Sequence, residues 1–83
     1  MSIEIWGKPA CPSCNAAKAL CETRGYDYSY KELGKDFDRD EVFENFPGAR
    51  TFPQIKVYNT AVGGYEQFLQ YIEDTGYNGT GHR

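Results

Sequence analysis

The sequence predicts one α/β domain: a four-stranded mixed sheet with helices on both faces, its elements in the order β-α-β-α-β-β-α. Three observations carry that expectation. An apolar run, Ile3-Glu4-Ile5-Trp6, leads into Cys11-Pro12-Ser13-Cys14, and a helix-like run from Asn15 to Leu20 leads out. Tyr26-Asp27-Tyr28-Ser29-Tyr30 then alternates strictly, as a strand does, so strand, helix and strand form a right-handed crossover with parallel strands. Further on, Phe52–Tyr58 and Ala61-Val62 are extended runs joined by a tight turn at Asn59-Thr60, which makes them antiparallel.

Each element has local reasons. The first strand ends at Gly7, and Pro9 and Pro12 punctuate the segment after it. Pro12 suits the first helical position, where its missing N–H is no loss, so Cys11 falls at the N-cap and Cys14 in the first turn. Ala17, Leu20 and Cys21 follow Cys14 at the spacing of one core-facing stripe, and Gly25 stops the helix. Asp38 and Glu41 have capping-box spacing, with Phe37 and Val42 placed as a hydrophobic staple. Val42, Phe43 and Phe46 supply that helix's apolar face, and Pro47-Gly48 ends it. The acids Asp36, Asp38, Asp40, Glu41 and Glu44 favour the N-terminal end of a helix dipole, a plainer account than a partner-binding patch. Pro53 opens the third strand, where a lost donor is tolerable. After Gly63-Gly64 the last helix begins near Tyr65, turns Phe68, Leu69 and Ile72 inward and ends at Gly76. Residues 1–76 are expected to form the domain, and 77–83, which include His82, a polar tail.

Composition narrows the function. The net charge is −3 and the lysines and arginines are scattered, so no basic stripe supports nucleic-acid binding. No apolar run approaches the roughly 18 residues of a membrane span, and the first residues lack the basic and apolar segments of a signal peptide. A cytoplasmic location is expected, where the three cysteines would be mostly reduced. There a Cys-x-x-Cys pair is more often catalytic or metal-binding than a structural bridge. A tetrahedral zinc site needs four ligands; a second Cys-x-x-Cys is absent, and only Cys21 and His82 remain, so no metal is expected. Cys21, on the apolar stripe, suits a small buried hydrophobe.

The two thiols of the pair are unequal. A thiolate attacks disulfides, and an ordinary cysteine is mostly protonated at neutral pH. Unpaired N–H groups at a helix N-terminus favour the thiolate at Cys11, and the ammonium of Lys8 adds to them. Cys14 lies deeper. Cys11 is therefore expected to be exposed and to attack, and Cys14 to resolve the mixed disulfide.

Three motifs in order make the chain resemble the glutaredoxins of the thioredoxin-like superfamily: Lys8-x-x-Cys11-Pro12-Ser13-Cys14, Thr51-Phe52-Pro53-Gln54-Ile55 and Gly63-Gly64-Tyr65-Glu66. The resemblance implies the thioredoxin-like fold and a glutathione-dependent thiol–disulfide oxidoreductase. It implies a cis proline at Pro53, a strand-like contact between the Phe52 backbone and the cysteinyl part of glutathione, and attraction of the glycyl carboxylate by Lys8. It also implies that Gly64, Tyr65 and Glu66 hold the γ-glutamyl end. The implied partners are glutathione and disulfide-bearing proteins, ribonucleotide reductase among them, and the implied state is a monomer. Ser13 stands where many glutaredoxins carry Tyr. Lys8-Pro9-Ala10-Cys11 and Asn15-Ala16 are also similar to the NrdH-redoxins, which thioredoxin reductase reduces, and that donor is one alternative. An iron–sulfur carrier, with Cys11 of two chains and two glutathiones holding a cluster, is another.

Overall fold

The computed structural model describes residues 3–77. Its elements are β1 (Ile3–Gly7), α1 (Pro12–Arg24), β2 (Tyr28–Glu32), α2 (Arg39–Asn45), β3 (Gln54–Val57), β4 (Thr60–Gly63) and α3 (Tyr65–Thr75). The strands lie in the order β2-β1-β3-β4. β1 runs parallel to β2 and antiparallel to β3, and β3 runs antiparallel to β4, so the sheet is mixed as its connections require.

Alternation along β1 divides the interior in two. Ile3 and Ile5 point to one face, where they meet Ala17 and Cys21 of α1, Ile55 and Val57 of β3, and Phe68 and Ile72 of α3. Trp6 points to the other face and joins Phe37, Val42 and Phe46 around α2. Helices thus cover both faces of the sheet. The Trp6 ring centroid is 4.7 Å from Phe37 and 5.4 Å from Phe46, and the Lys31 ammonium lies 4.8 Å over it.

The local signals for helix ends work as the residues dictate. Gly25 takes the left-handed conformation at φ 70°, and its N–H reaches the carbonyls of Cys21 and Glu22. Asp38 accepts from the Glu41 N–H at 3.0 Å while Glu41 accepts from the Asp38 N–H at 3.3 Å, a complete capping box. Phe37 and Val42, flanking the cap, are buried in one cluster.

Four expectations about the elements and their ends need correction. β2 starts at Tyr28, two residues late, because the Tyr26 N–H still bonds the Cys21 carbonyl at 2.8 Å as part of the helix stop. Phe43 is 52% exposed: α2 spans only seven residues, and Val42 and Phe46, four apart, take its sheet-facing side. The hairpin turn is Tyr58-Asn59, with φ of 50° and 64°, and β4 accordingly begins at Thr60. A two-residue turn of this hand needs positive φ at both central positions, and Asn tolerates that better than most residues. Finally, Tyr77 is not tail: it is 3% exposed and packs edge-on against Tyr26 at 5.3 Å, which extends the core past residue 76. His82 and the rest of the expected tail, from Asn78, lie outside the described residues.

Candidate redox site

Gly7 ends β1 at the edge of the core, and Lys8-Pro9-Ala10 carries the chain to the start of α1. Ala10 adopts φ 55°, an uncommon conformation for a residue with a Cβ, just before the cap. Cys11 is the N-cap, in extended conformation, with Pro12 at the first helical position. Its sulfur accepts the Cys14 N–H at 3.1 Å, one of the donors that a helix start leaves unpaired. Cys11 and Cys14 are joined as a disulfide, with Cα atoms 5.2 Å apart.

The opposite wall comes from 41 residues further along the chain. The Phe52 carbonyl oxygen lies 3.9 Å from the Cys11 sulfur, where a reduced thiol could aim its proton. The Phe52–Pro53 peptide bond is cis, and Pro53 is buried. Under this wall Cys11 is only 4% exposed and Cys14 is fully buried, whereas Pro12 and Ser13 are exposed. The expected exposed Cys11 is therefore corrected: its sulfur tucks against the first turn of α1 beneath the Phe52-Pro53 wall.

Gly64 adjoins the same wall. A Cβ placed there would meet the Pro53 carbonyl oxygen at 3.5 Å and the Gln67 side-chain oxygen at 3.2 Å. Gly64 is the N-cap of α3, and its N–H donates to Gln67 Oε1 at 3.1 Å. Tyr65 is half-buried and packs on the main core, while Glu66 is exposed in the first helical turn. Lys8 is exposed beside the cysteine loop.

The fold also adds residues that sequence reasoning missed. A small cleft next to Thr51 and Phe52 is lined by Arg39 and Arg50, over a floor that includes Val42 and Ala49. Neither arginine pairs with a carboxylate among the described residues; the ion pair found there joins Lys31 to Glu4 at 3.2 Å. The available signal for Arg50 was its place directly before Thr51-Phe52-Pro53. Arg39 carried none, being one more charge at the start of a helix. A wider groove runs from Arg50 and Thr51 past Gln54 to Gly63, Gly64 and Gln67. Among the described residues, no three His, Cys, Asp or Glu side chains converge as a metal site. Cys21 takes no part: it is fully buried in the main core, and burial pushes its thiol up to about 11.

Comparison with known proteins agrees with this geometry. The sequence profile of the family described as Glutaredoxin matches residues 3–62. Glutaredoxin 3 of Escherichia coli is 36% identical over 66 residues, which cover 76% of this chain and 76% of that protein. A Synechocystis glutaredoxin is also 36% identical over 66 residues, covering 78% of this chain but 61% of the longer relative. In structure, a buckwheat glutaredoxin solved as a complex with glutathione superposes with a TM-score of 0.74 over 88% of this chain and 69% of that one, at 24% identity. A cysteine pair at the head of α1 and a family match over most of the chain lead to one assignment: this chain belongs to the glutaredoxins, the thioredoxin-fold family of thiol–disulfide oxidoreductases.

Proposed function

We propose that the chain reduces protein disulfides and glutathione mixed disulfides, with Cys11 as nucleophile, Cys14 as resolving thiol and glutathione as electron donor. The observation that carries this reading is the Cys11 sulfur at a helix N-cap, accepting a backbone N–H at 3.1 Å. That bond and the helix dipole favour the thiolate over the thiol. In the first step the Cys11 thiolate attacks one sulfur of the substrate disulfide, forms the Cys11–substrate bond and expels the other sulfur as a thiolate. Deprotonated Cys14 then attacks Cys11 Sγ; the Cys11–Cys14 bond forms and the substrate leaves as a thiolate, which takes a proton from water. Two glutathione molecules reverse the cycle, ending as glutathione disulfide and restoring both thiols.

Glutathione is read into this site by its charges. Its cysteinyl unit would lie along the Phe52 backbone beside Pro53. Its glycyl carboxylate would meet the cations Lys8, Arg39 and Arg50. Its γ-glutamyl carboxylate would meet the start of α3 at Gly64 and Tyr65, with Glu66 facing the ammonium group. The protein partner is assigned by class, as an accessible disulfide such as that of a ribonucleotide reductase.

The test compares two donor systems on a glutathione mixed disulfide and on a protein disulfide. Turnover is expected with glutathione, glutathione reductase and NADPH. Turnover with thioredoxin reductase and none with glutathione would refute the donor assignment while leaving the cysteine chemistry in place. Cys11→Ser is expected to abolish both reactions. Cys14→Ser is expected to retain reduction of the glutathione mixed disulfide, because a second glutathione can resolve the Cys11 adduct.

A further inference from the structure

Gly7 lies between the side chains of Tyr30 and Cys14. A Cβ at this position would overlap the Tyr30 hydroxyl, and would stand 2.8 Å from Tyr30 Cζ and 3.1 Å from Cys14 Cβ. The phenol carbon and Cys14 Cβ are therefore within about 6 Å of each other across Gly7. The register explains the approach. Tyr30 pairs with Ile5 and faces α1 as Ile5 does; two residues on, Gly7 leaves that face empty, and the Tyr30 ring leans into the space. Tyr30 is half-buried, and its hydroxyl makes no hydrogen bond with any described residue.

We propose that Tyr30 donates a hydrogen bond to the Cys14 thiolate and so prepares the resolving thiol for attack. The inference rests on the reading of Cys14 as the resolving residue. Cys14 is fully buried, and burial alone opposes its ionisation. The Cys14 N–H is already taken by the Cys11 sulfur, so it does not serve the Cys14 sulfur. A hydroxyl aimed from β2 supplies the missing donor. Burial, with the Glu32 carboxylate second, raises the Tyr30 hydroxyl above its ordinary range, so it keeps its proton and remains a donor. The other charged groups around the pair are Lys18 of α1, whose ammonium lies 5.5 Å from the Tyr30 ring centroid, and Lys8 directly after Gly7. In the resolving step the Cys14 proton leaves to water, Cys14 Sγ bonds Cys11 Sγ, and the bond from Cys11 to the departing group breaks. The Tyr30 proton stays on oxygen throughout.

The test separates the two thiols. In Cys11→Ser and Cys11→Ser/Tyr30→Phe chains, alkylation of Cys14 is followed against pH by mass spectrometry of its peptide. Loss of the hydroxyl is expected to move the midpoint up by about one pH unit, a roughly tenfold loss of thiolate at neutral pH. In Cys14→Ser and Cys14→Ser/Tyr30→Phe chains, the Cys11 profile is expected to stay in place. In the full chain, Tyr30→Phe is expected to slow release of glutathione from a preformed Cys11–glutathione adduct by a similar factor. An unchanged Cys14 profile overturns the proposal, and so does an equal shift at both cysteines, which would mark a general disturbance. If Cys11 forms no glutathione adduct, the functional reading fails, while the alkylation profiles still decide the role of Tyr30.

Discussion

Gly7→Ala is the sharpest structural test of the packing behind the cysteine pair. In a strand, replacing Gly by Ala removes unfolded-state freedom and stabilises by about 0.4–1 kcal/mol when the backbone fits. Gly7 belongs to β1, with a backbone open to any residue, so that gain is available. Space opposes it. The new methyl would overlap the Tyr30 hydroxyl and sit 2.8 Å from Cζ, inside normal contact, and 3.1 Å from Cys14 Cβ. Forcing a methyl into a filled site costs about 1–3 kcal/mol. The expected net effect is a loss of about 1–2 kcal/mol. In a Tyr30→Leu background the phenol is gone and only the Cys14 contact stays tight. The same Gly7→Ala change should then be close to neutral, for a coupling of about 1–2 kcal/mol. The assay is urea unfolding of all four chains with the Cys11–Cys14 disulfide intact, read by circular dichroism. Equal costs in both backgrounds would refute the reasoning, because they would place the strain elsewhere than at Tyr30.

Other consequences are open to direct measurement. Arg50→Ala and Arg39→Ala should each raise KM for glutathione several-fold with kcat nearly unchanged, as expected for residues that bind a carboxylate away from the reacting sulfurs; steady-state kinetics that show kcat falling instead would contradict that placement. Cys21 supplies a pH signature. Burial holds its thiol at about 11 in the folded chain, against 9.0 ordinarily, so the fold favours the protonated form. Its contribution is full below pH 9 and is lost as pH rises towards 11, because the unfolded chain ionises first. The loss amounts to roughly 3 kcal/mol. Stability measured from pH 8 to 11 should fall more steeply for the parent chain than for Cys21→Ala, a comparison that subtracts the tyrosines. Asp38→Ala removes the acceptor for the Glu41 N–H and should cost about 1 kcal/mol in chemical denaturation, without altering the cysteine chemistry.

Much of the architecture was legible because its causes are local. A helix start is read within four residues, so Cys11-Pro12 and Asp38–Glu41 were identified from spacing alone. Gly25 and Gly76, both in the left-handed conformation, mark helix ends for the same reason. Errors arose where a local pattern had two outcomes. Tyr26 alternates with Tyr28 and Tyr30 but is spent on the helix stop. Phe43 has the hydrophobicity of a core residue but not the angle on its short helix. Tyr77 follows a helix-ending glycine and is returned to the core by the rings of Tyr26, Tyr58 and Tyr71.

The sequence by itself determined the cysteine pair, its place at a helix N-terminus and the order of the elements. Hydrogen bonds between neighbours in the chain and the periods of strand and helix specify those features without reference to the rest of the molecule. Only the tertiary structure decided what surrounds the pair. The strand order β2-β1-β3-β4 puts β1 in the middle, with β2 on one side and β3 on the other. That arrangement brings Phe52 and Pro53 over Cys11 and Tyr30 beside Cys14, and leaves Gly64 against Pro53. Arg39 and Arg50 meet because α2 and the segment before β3 close on the same cleft. Contacts between residues tens of positions apart depend on how the buried faces pack, and packing is a property of the whole core, not of any one segment.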